Sequence, residues 1–245
     1  MFTAQGPTFR ELAVQALSSV EHGYDLLAPK FDHTPFRTPD TVLDAVAGAL
    51  GRIGPFGRGL DLCCGTGAGL DVLRAVCREQ AVGVDFSTAM LAVGRERARP
   101  GGPPAHWVRA DARRLPFGPV FDLVVSFGAF GHFLPRELPG LFAQVHGVLR
   151  PGGRFAFPLT APARPGSGGY WAMLGFDAAM RVRNALWRPP FVMYYRPFRL
   201  GTVRAELERV GFAVQLHALE EFGRRDDGSP RCRMVVATRE DTPAR

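Results

Sequence analysis

Between residues 41 and 159 the chain switches regularly between two periods of apolar and polar positions. Val42, Leu43, Val46 and Leu50 recur at helical spacing over 41–50, with Thr38 or Asp40 placed to cap the first turn. A Gly/Pro loop at 51–59 ends that helix. A short apolar run at 60–64 then leads into a glycine-rich turn at 65–69, and 70–78 is helical again. The unit repeats as a strand at 81–85, a helix at 88–98, a breaker-rich loop at 100–104 and a strand at 105–109. Residues 121–126 are nearly all apolar after Asp122, as a central parallel strand covered on both faces requires. A helix over 138–149 stops at Pro151-Gly-Gly153, and 154–159 is the fifth strand.

The rhythm breaks at 160–200, where a Pro/Gly loop, a helix over 170–187 and an aromatic stretch at 189–198 look like an insertion over the strand ends. It resumes with a helix at 202–210 stopped by Gly211, and with strands at 213–219 and 232–238 that form an antiparallel edge hairpin. The expected fold is α/β: a Rossmann-like, doubly wound, mostly parallel seven-stranded sheet with an antiparallel edge hairpin and a helical, aromatic cap. We divide this single domain into a lid (1–40), a core (41–159), the cap insertion (160–200) and a C-terminal helix with edge strands (201–245).

Composition narrows the picture. With 245 residues, 46% hydrophobic, the chain can bury a full core. No stretch has the roughly 18 uncharged apolar residues that span a bilayer, and 1–20 lacks a secretory pattern, so no membrane insertion and a cytoplasmic location are expected. Cys63, Cys64, Cys77 and Cys232 have no metal-ligand spacing, and no metal is expected. The net charge of +7 raises a nucleic-acid partner. The arginines, however, are scattered from Arg10 to Arg245 and Lys30 is the only lysine, which fits a solvated surface better than a binding patch.

Gly65, Gly67 and Gly69 let the backbone approach a ligand closely, and the helix after them offers unpaired N–H groups. Asp85, ending the second strand, is placed to accept bonds from two ribose hydroxyls. Asp111, after the third strand, suits an exocyclic amine such as that of adenine, and Asp61, before the glycines, can face a cation. The turn differs from a nicotinamide fingerprint, because its third glycine comes one residue early.

Five segments, Leu60-Asp-Leu-Cys-Cys-Gly-Thr-Gly-Ala-Gly69, Gly83-Val-Asp-Phe-Ser87, Arg109-Ala-Asp-Ala-Arg-Arg-Leu-Pro-Phe117, Phe121-Asp-Leu-Val-Val-Ser126 and Leu149-Arg-Pro-Gly-Gly-Arg-Phe155, taken in order, resemble the class I S-adenosylmethionine-dependent methyltransferases. The resemblance is to their small-molecule branch, similar to ubiquinone-biosynthesis methyltransferases. It implies a methyltransferase that binds S-adenosylmethionine and releases S-adenosylhomocysteine. By the same resemblance Asp61, Cys63 and the turn Gly65, Thr66, Gly67 surround the methionine part, and Asp85 holds the ribose. Phe86 and Met90 flank the adenine, Asp111 and Ala112 meet its edge, and Ser126 with Phe127 lines the sulfonium end. Core packing accounts equally for Phe86, Met90 and Phe127. Tyr24-Asp25, Ala28 and Phe31-Asp32 resemble the YDxxAxxYD stretch that folds over the cofactor in such enzymes, with Phe31 in place of its second tyrosine.

Methyl transfer from a sulfonium needs alignment and exclusion of water more than a covalent residue. For a hydroxyl or carbon acceptor a base helps, and His132, just beyond the fourth strand, is the candidate; ordinary packing in its apolar surroundings is the alternative. Tyr170, Trp171, Phe176, Trp187, Phe191, Tyr194 and Tyr195 of the insertion line an acceptor pocket suited to a flat, aromatic or lipophilic small molecule, or else form a dimer surface or a subdomain core. The expected assembly is a monomer or homodimer. A nucleic-acid acceptor is the minority reading, because Ser126-Phe-Gly-Ala129 is not the Asn/Asp-Pro-Pro-aromatic tetrad of amino-methylating DNA enzymes and no Pro-Cys nucleophile is present. An RNA, DNA or protein methyltransferase and a non-catalytic cofactor-binding module stay open.

Overall fold

The structure is a computed structural model describing residues 5–194 and 199–240. Two short helices precede the predicted alternation. In α1 (Phe9–Leu17), Thr8 and Glu11 cap each other's backbone, and in α2 (Val20–Leu27) the Ser19 hydroxyl accepts from the His22 N–H. A 3-10 turn, Ala28–His33, leads on to α3 (Asp40–Ile53), whose Leu43, Val46, Ala49 and Leu50 face inward. Neither Thr38 nor Asp40 caps α3: Pro39 holds the cap position, and Asp40 lies in the first turn, paired with Arg37.

The core follows the expected order: β1 (Phe56–Leu62), α4 (Ala68–Val76), β2 (Cys77–Asp85), α5 (Thr88–Arg97), β3 (Ala105–Arg109), β4 (Phe121–Val125), α6 (Leu138–Val148) and β5 (Leu149–Thr160). The cap helix α7 (Gly168–Leu186) is followed by α8 (Leu200–Val210), β6 (Phe212–Ala218) and β7 (Cys232–Arg239). The seven strands lie in the order β3-β2-β1-β4-β5-β7-β6, all parallel except β7, which runs antiparallel between β5 and β6. Phe142, Val145 and Leu207 of α6 and α8 fill one face of the sheet, and Val46, Leu50 and Leu73 of α3 and α4 fill the other. This two-sided burial explains the almost continuous apolar run of β4.

The order reverses between β1 and β4, which lie side by side although two strands intervene in sequence. Ligands in open α/β sheets sit at such a reversal, outside the carboxyl ends of the strands. A small separate core lies there. Met180, Phe191 and Met193 are buried together and pack against Tyr24, Phe36 and Phe176, joining α7 and the segment after it to α2.

Candidate functional site

The turn after β1 is held by its glycines and by one carboxylate. Gly65 and Gly67 have φ of 52° and 93°, and the Gly67 N–H donates to the Cys64 carbonyl at 2.8 Å. A Cβ on Gly67 would stand 2.3 Å from the Trp107 ring. Gly67→Ala therefore combines left-handed strain with overpacking and is expected to lower unfolding free energy by about 2–4 kcal/mol, read by urea denaturation. A loss under about 0.5 kcal/mol would show that the turn relaxes freely.

Asp85 joins the two loops of the site. Its carboxylate accepts from the Gly65 N–H and the Ser87 N–H, both at 2.9 Å, and burial pushes its pKa up against those bonds. The N-terminal segment grips the same loops. Asp25 accepts from the Ser87 hydroxyl at 2.6 Å and from the Ala89 N–H at 3.0 Å, and Asp32 accepts from the Thr66 hydroxyl at 2.6 Å and pairs with Arg97. These two acids carry the segment across the turn, so Tyr24 and Phe31 come to line the space beyond it.

That space is a cavity of about 710 Å³ at the carboxyl ends of β1, β2 and β4. Its wall brings together Tyr24, Cys63, Gly65, Asp85, Phe86 and Met90 with Asp111, Ala112, Ser126, Phe127 and His132. Asp61, Thr66 and Gly67 are not in the wall. Asp61 lies behind the turn against Gly69, where a Cβ would come within 2.5 Å of its carboxylate. One of its oxygens is buried without a hydrogen-bond partner, and burial, then the charge of Asp85, pushes its pKa well up. Thr66 and Gly67 face a separate small cleft on the outer side of the turn. The Ser126 hydroxyl donates to the Leu62 carbonyl, tying the ends of β4 and β1 together.

His132 and Tyr24 meet directly. The His132 Nδ1 lies 2.9 Å from the Val192 carbonyl and Nε2 lies 2.7 Å from the Tyr24 hydroxyl. A carbonyl only accepts, so Nδ1 carries the proton and Nε2 accepts from Tyr24. Burial lowers the pKa of His132; its bond to Val192 opposes this, and the charge of Arg113 adds to the lowering. The ring is thus held neutral, in one tautomer.

Arg113 and Glu137 also line the cavity, and no motif marks that they meet. Arg113 bonds to Asp111 at 3.3 Å and Glu137 at 2.9 Å, and Glu137 accepts from the Leu134 N–H at 2.6 Å. Among the described aromatics of the insertion, only Tyr194 enters the wall. Phe191 is buried in the cap core, Phe176 packs beside it, and Tyr170 packs against Trp171. Trp171 and Trp187 are exposed, and Tyr195 lies outside the described residues.

This wall fits an adenosyl cofactor. A carboxylate and a glycine turn face one end, Asp111 stands beside the apolar Ala112, and the volume is of the size that encloses a small ligand.

A family described as a methyltransferase domain matches residues 60–153. An uncharacterized methyltransferase of Synechocystis sp. is 35% identical over 137 residues, 56% of this chain and 61% of that protein, so the chain spans less than two thirds of that relative. A 2-phytyl-1,4-naphtoquinone methyltransferase of Nostoc punctiforme is 34% identical over 169 residues, 64% of this chain and 73% of that protein. Among solved structures, magnesium protoporphyrin IX methyltransferase of Synechocystis with bound S-adenosylhomocysteine shares the fold, with a TM-score of 0.56 at 18% identity over 81% of each chain. The chain belongs to the class I S-adenosylmethionine-dependent methyltransferases of the small-molecule type.

Proposed function

We propose that this methyltransferase acts on a flat, lipophilic acceptor bearing an ionisable hydroxyl, of the phenol or quinol type, and that His132 is its base. The reading is supported chiefly by the Tyr24–His132 contact in the cavity wall, beside a group of apolar side chains. Phe36, Phe127, Phe130, Phe133, Leu159 and Met193 offer apolar faces for a planar ring. The naphthoquinone in the name of the Nostoc relative points to the same class.

S-adenosylmethionine, when bound, supplies an electrophilic methyl group. The chain's residues do the rest. Asp85, Asp111 and the turn at Gly65 hold the adenosine, with Asp61 bracing the turn from behind. Tyr24 takes the acceptor's hydroxyl proton on its oxygen while passing its own to His132 Nε2, and Nδ1–H stays on the Val192 carbonyl throughout. Residues 1–40 serve as the lid and 160–200 as the cap, excluding water. Buried free thiols at Cys64, Cys77 and Cys232 support a cytoplasmic setting. The positive charge gives little support to a nucleic-acid acceptor, since arginines such as Arg58, Arg109 and Arg204 are engaged with Glu79, Glu21 and Glu208.

Turnover of methyl-labelled cofactor should be detectable with reduced, alkyl-substituted naphthoquinols and absent with ethanolamine phosphates, RNA and histone-like proteins. Label transfer to RNA or protein, with none to the quinols, would contradict the reading.

A further inference from the structure

The outward side of α7 is unusual for a solvent-facing helix. Trp171, Ala172, Gly175, Ala178, Ala179, Val182, Ala185 and Leu186 are all exposed, and only Arg181 interrupts them with a charge. Trp171 is 60% exposed, Val182 58% and Leu186 80%, and Trp187 just past the helix is 53% exposed. They recur at intervals of about four and form one stripe along a helix roughly 28 Å long. The single acid between residues 168 and 190, Asp177, is turned inward and buried, whereas Arg181 and Arg188 stay exposed. Arg181 lies over the Tyr194 ring, at 5.0 Å, beside the stripe.

We propose that this face docks on the surface of an anionic phospholipid bilayer. Apolar side chains with tryptophan at both ends, edged by arginine and free of acids, match the boundary between acyl chains and negatively charged headgroups. A second copy of the chain fits less well, because two such faces would bring arginines together with no acid to offset them. The contact is peripheral, since among the described residues no helix is long and apolar enough to cross a membrane.

The stripe also leads to the cavity. Trp187 lies three residues before Pro190, which lines the cavity with Val192 and Met193. Arg183, near the end of α7, donates to the Ser18 carbonyl and so fixes the half-exposed Leu17 of α1 beside the same end. A lipid-soluble acceptor would therefore pass from the bilayer to the cavity along a wall made by one short segment. The docking itself does not depend on which acceptor is used.

Flotation of the full chain with phosphatidylcholine vesicles, with and without phosphatidylglycerol, tests this without cofactor or acceptor. Binding is expected only to the anionic vesicles, weakening as salt rises. Brominated lipid should quench Trp171 and Trp187 and spare Trp107, which packs against Gly67 and Gly94. The double variant Leu186→Glu/Trp187→Glu, changed at exposed positions only, should keep its affinity for S-adenosylhomocysteine and lose vesicle binding about tenfold or more. Three results would overturn the proposal: no flotation at low salt, flotation unchanged in the double variant, or a wild-type dimer that the double variant converts to monomer.

Discussion

Asp85→Ala should lower the affinity for S-adenosylhomocysteine by about a hundredfold in a calorimetric titration. Two ribose hydroxyls bonded to a carboxylate contribute roughly 3 kcal/mol together, and alanine offers neither an acceptor nor a charge. A second effect comes from within the protein. The carboxylate also accepts from the Gly65 and Ser87 N–H groups, so its removal leaves two donors without their partner and should loosen the turn itself. Asp85→Asn keeps the shape and one acceptor oxygen and should fall between wild type and alanine. Because burial raises the folded-state pKa of Asp85 above its ordinary 3.8, the folded state holds this proton longer than the unfolded chain does. Its contribution to stability is full below 3.8 and is lost as pH rises through the raised value, so at neutral pH the charge is held at a cost that the two N–H donors reduce but do not cancel. An unchanged affinity in Asp85→Ala would remove the ribose from this end of the cavity.

His132→Ala should reduce kcat by roughly 10² to 10³ with a phenolic acceptor while leaving cofactor affinity within about twofold. The base acts in its neutral form, so kcat/KM should rise with pH along a limb whose midpoint lies below the ordinary 6.5 of histidine, and that limb should vanish in the variant. A merely packed histidine would leave the limb in place. Tyr24→Phe breaks the same relay, so the double variant should be hardly slower than either single one. Stability moves separately. Between 6.5 and its lower folded-state value His132 stays neutral in the fold while the unfolded chain takes up a proton, so the protein loses stability as the pH falls through that window.

The core was legible because its periodicity and its function depend on the same short segments. Strands β3 and β4 and helices α5 and α6 lie within two residues of where apolar spacing put them, since strands buried on both faces leave little ambiguity. The N-terminal helices α1 and α2 do not stand out in the sequence. In α1 the apolar Phe9, Val14 and Leu17 are exposed, and α2 has only 8 residues, so the caps at Thr8 and Ser19 are the clearest marks of the two. Most of the candidate site lay in motifs at strand ends, where fold and ligand constrain the same residues. Asp61 shows what local sequence leaves out: its neighbours say that it is near the turn, and only the packing against Gly69 says that it stands behind it. Arg113 and Glu137 are 24 residues apart and meet only because the loop after β4 folds back over the end of β3. The insertion was legible in composition and not in detail. Which aromatic faces the cavity depends on how α7 lies against α2, and Tyr24, Phe191 and Met193 decide that together.

Crystals grown with S-adenosylhomocysteine test the central assignment most directly. The adenosine should lie in the cavity with its ribose on Asp85, its adenine edge at Asp111 and Ala112, and its sulfur towards Ser126 and Phe127. Ligand bound elsewhere on the chain, or a cavity still empty at saturating concentration, would contradict it.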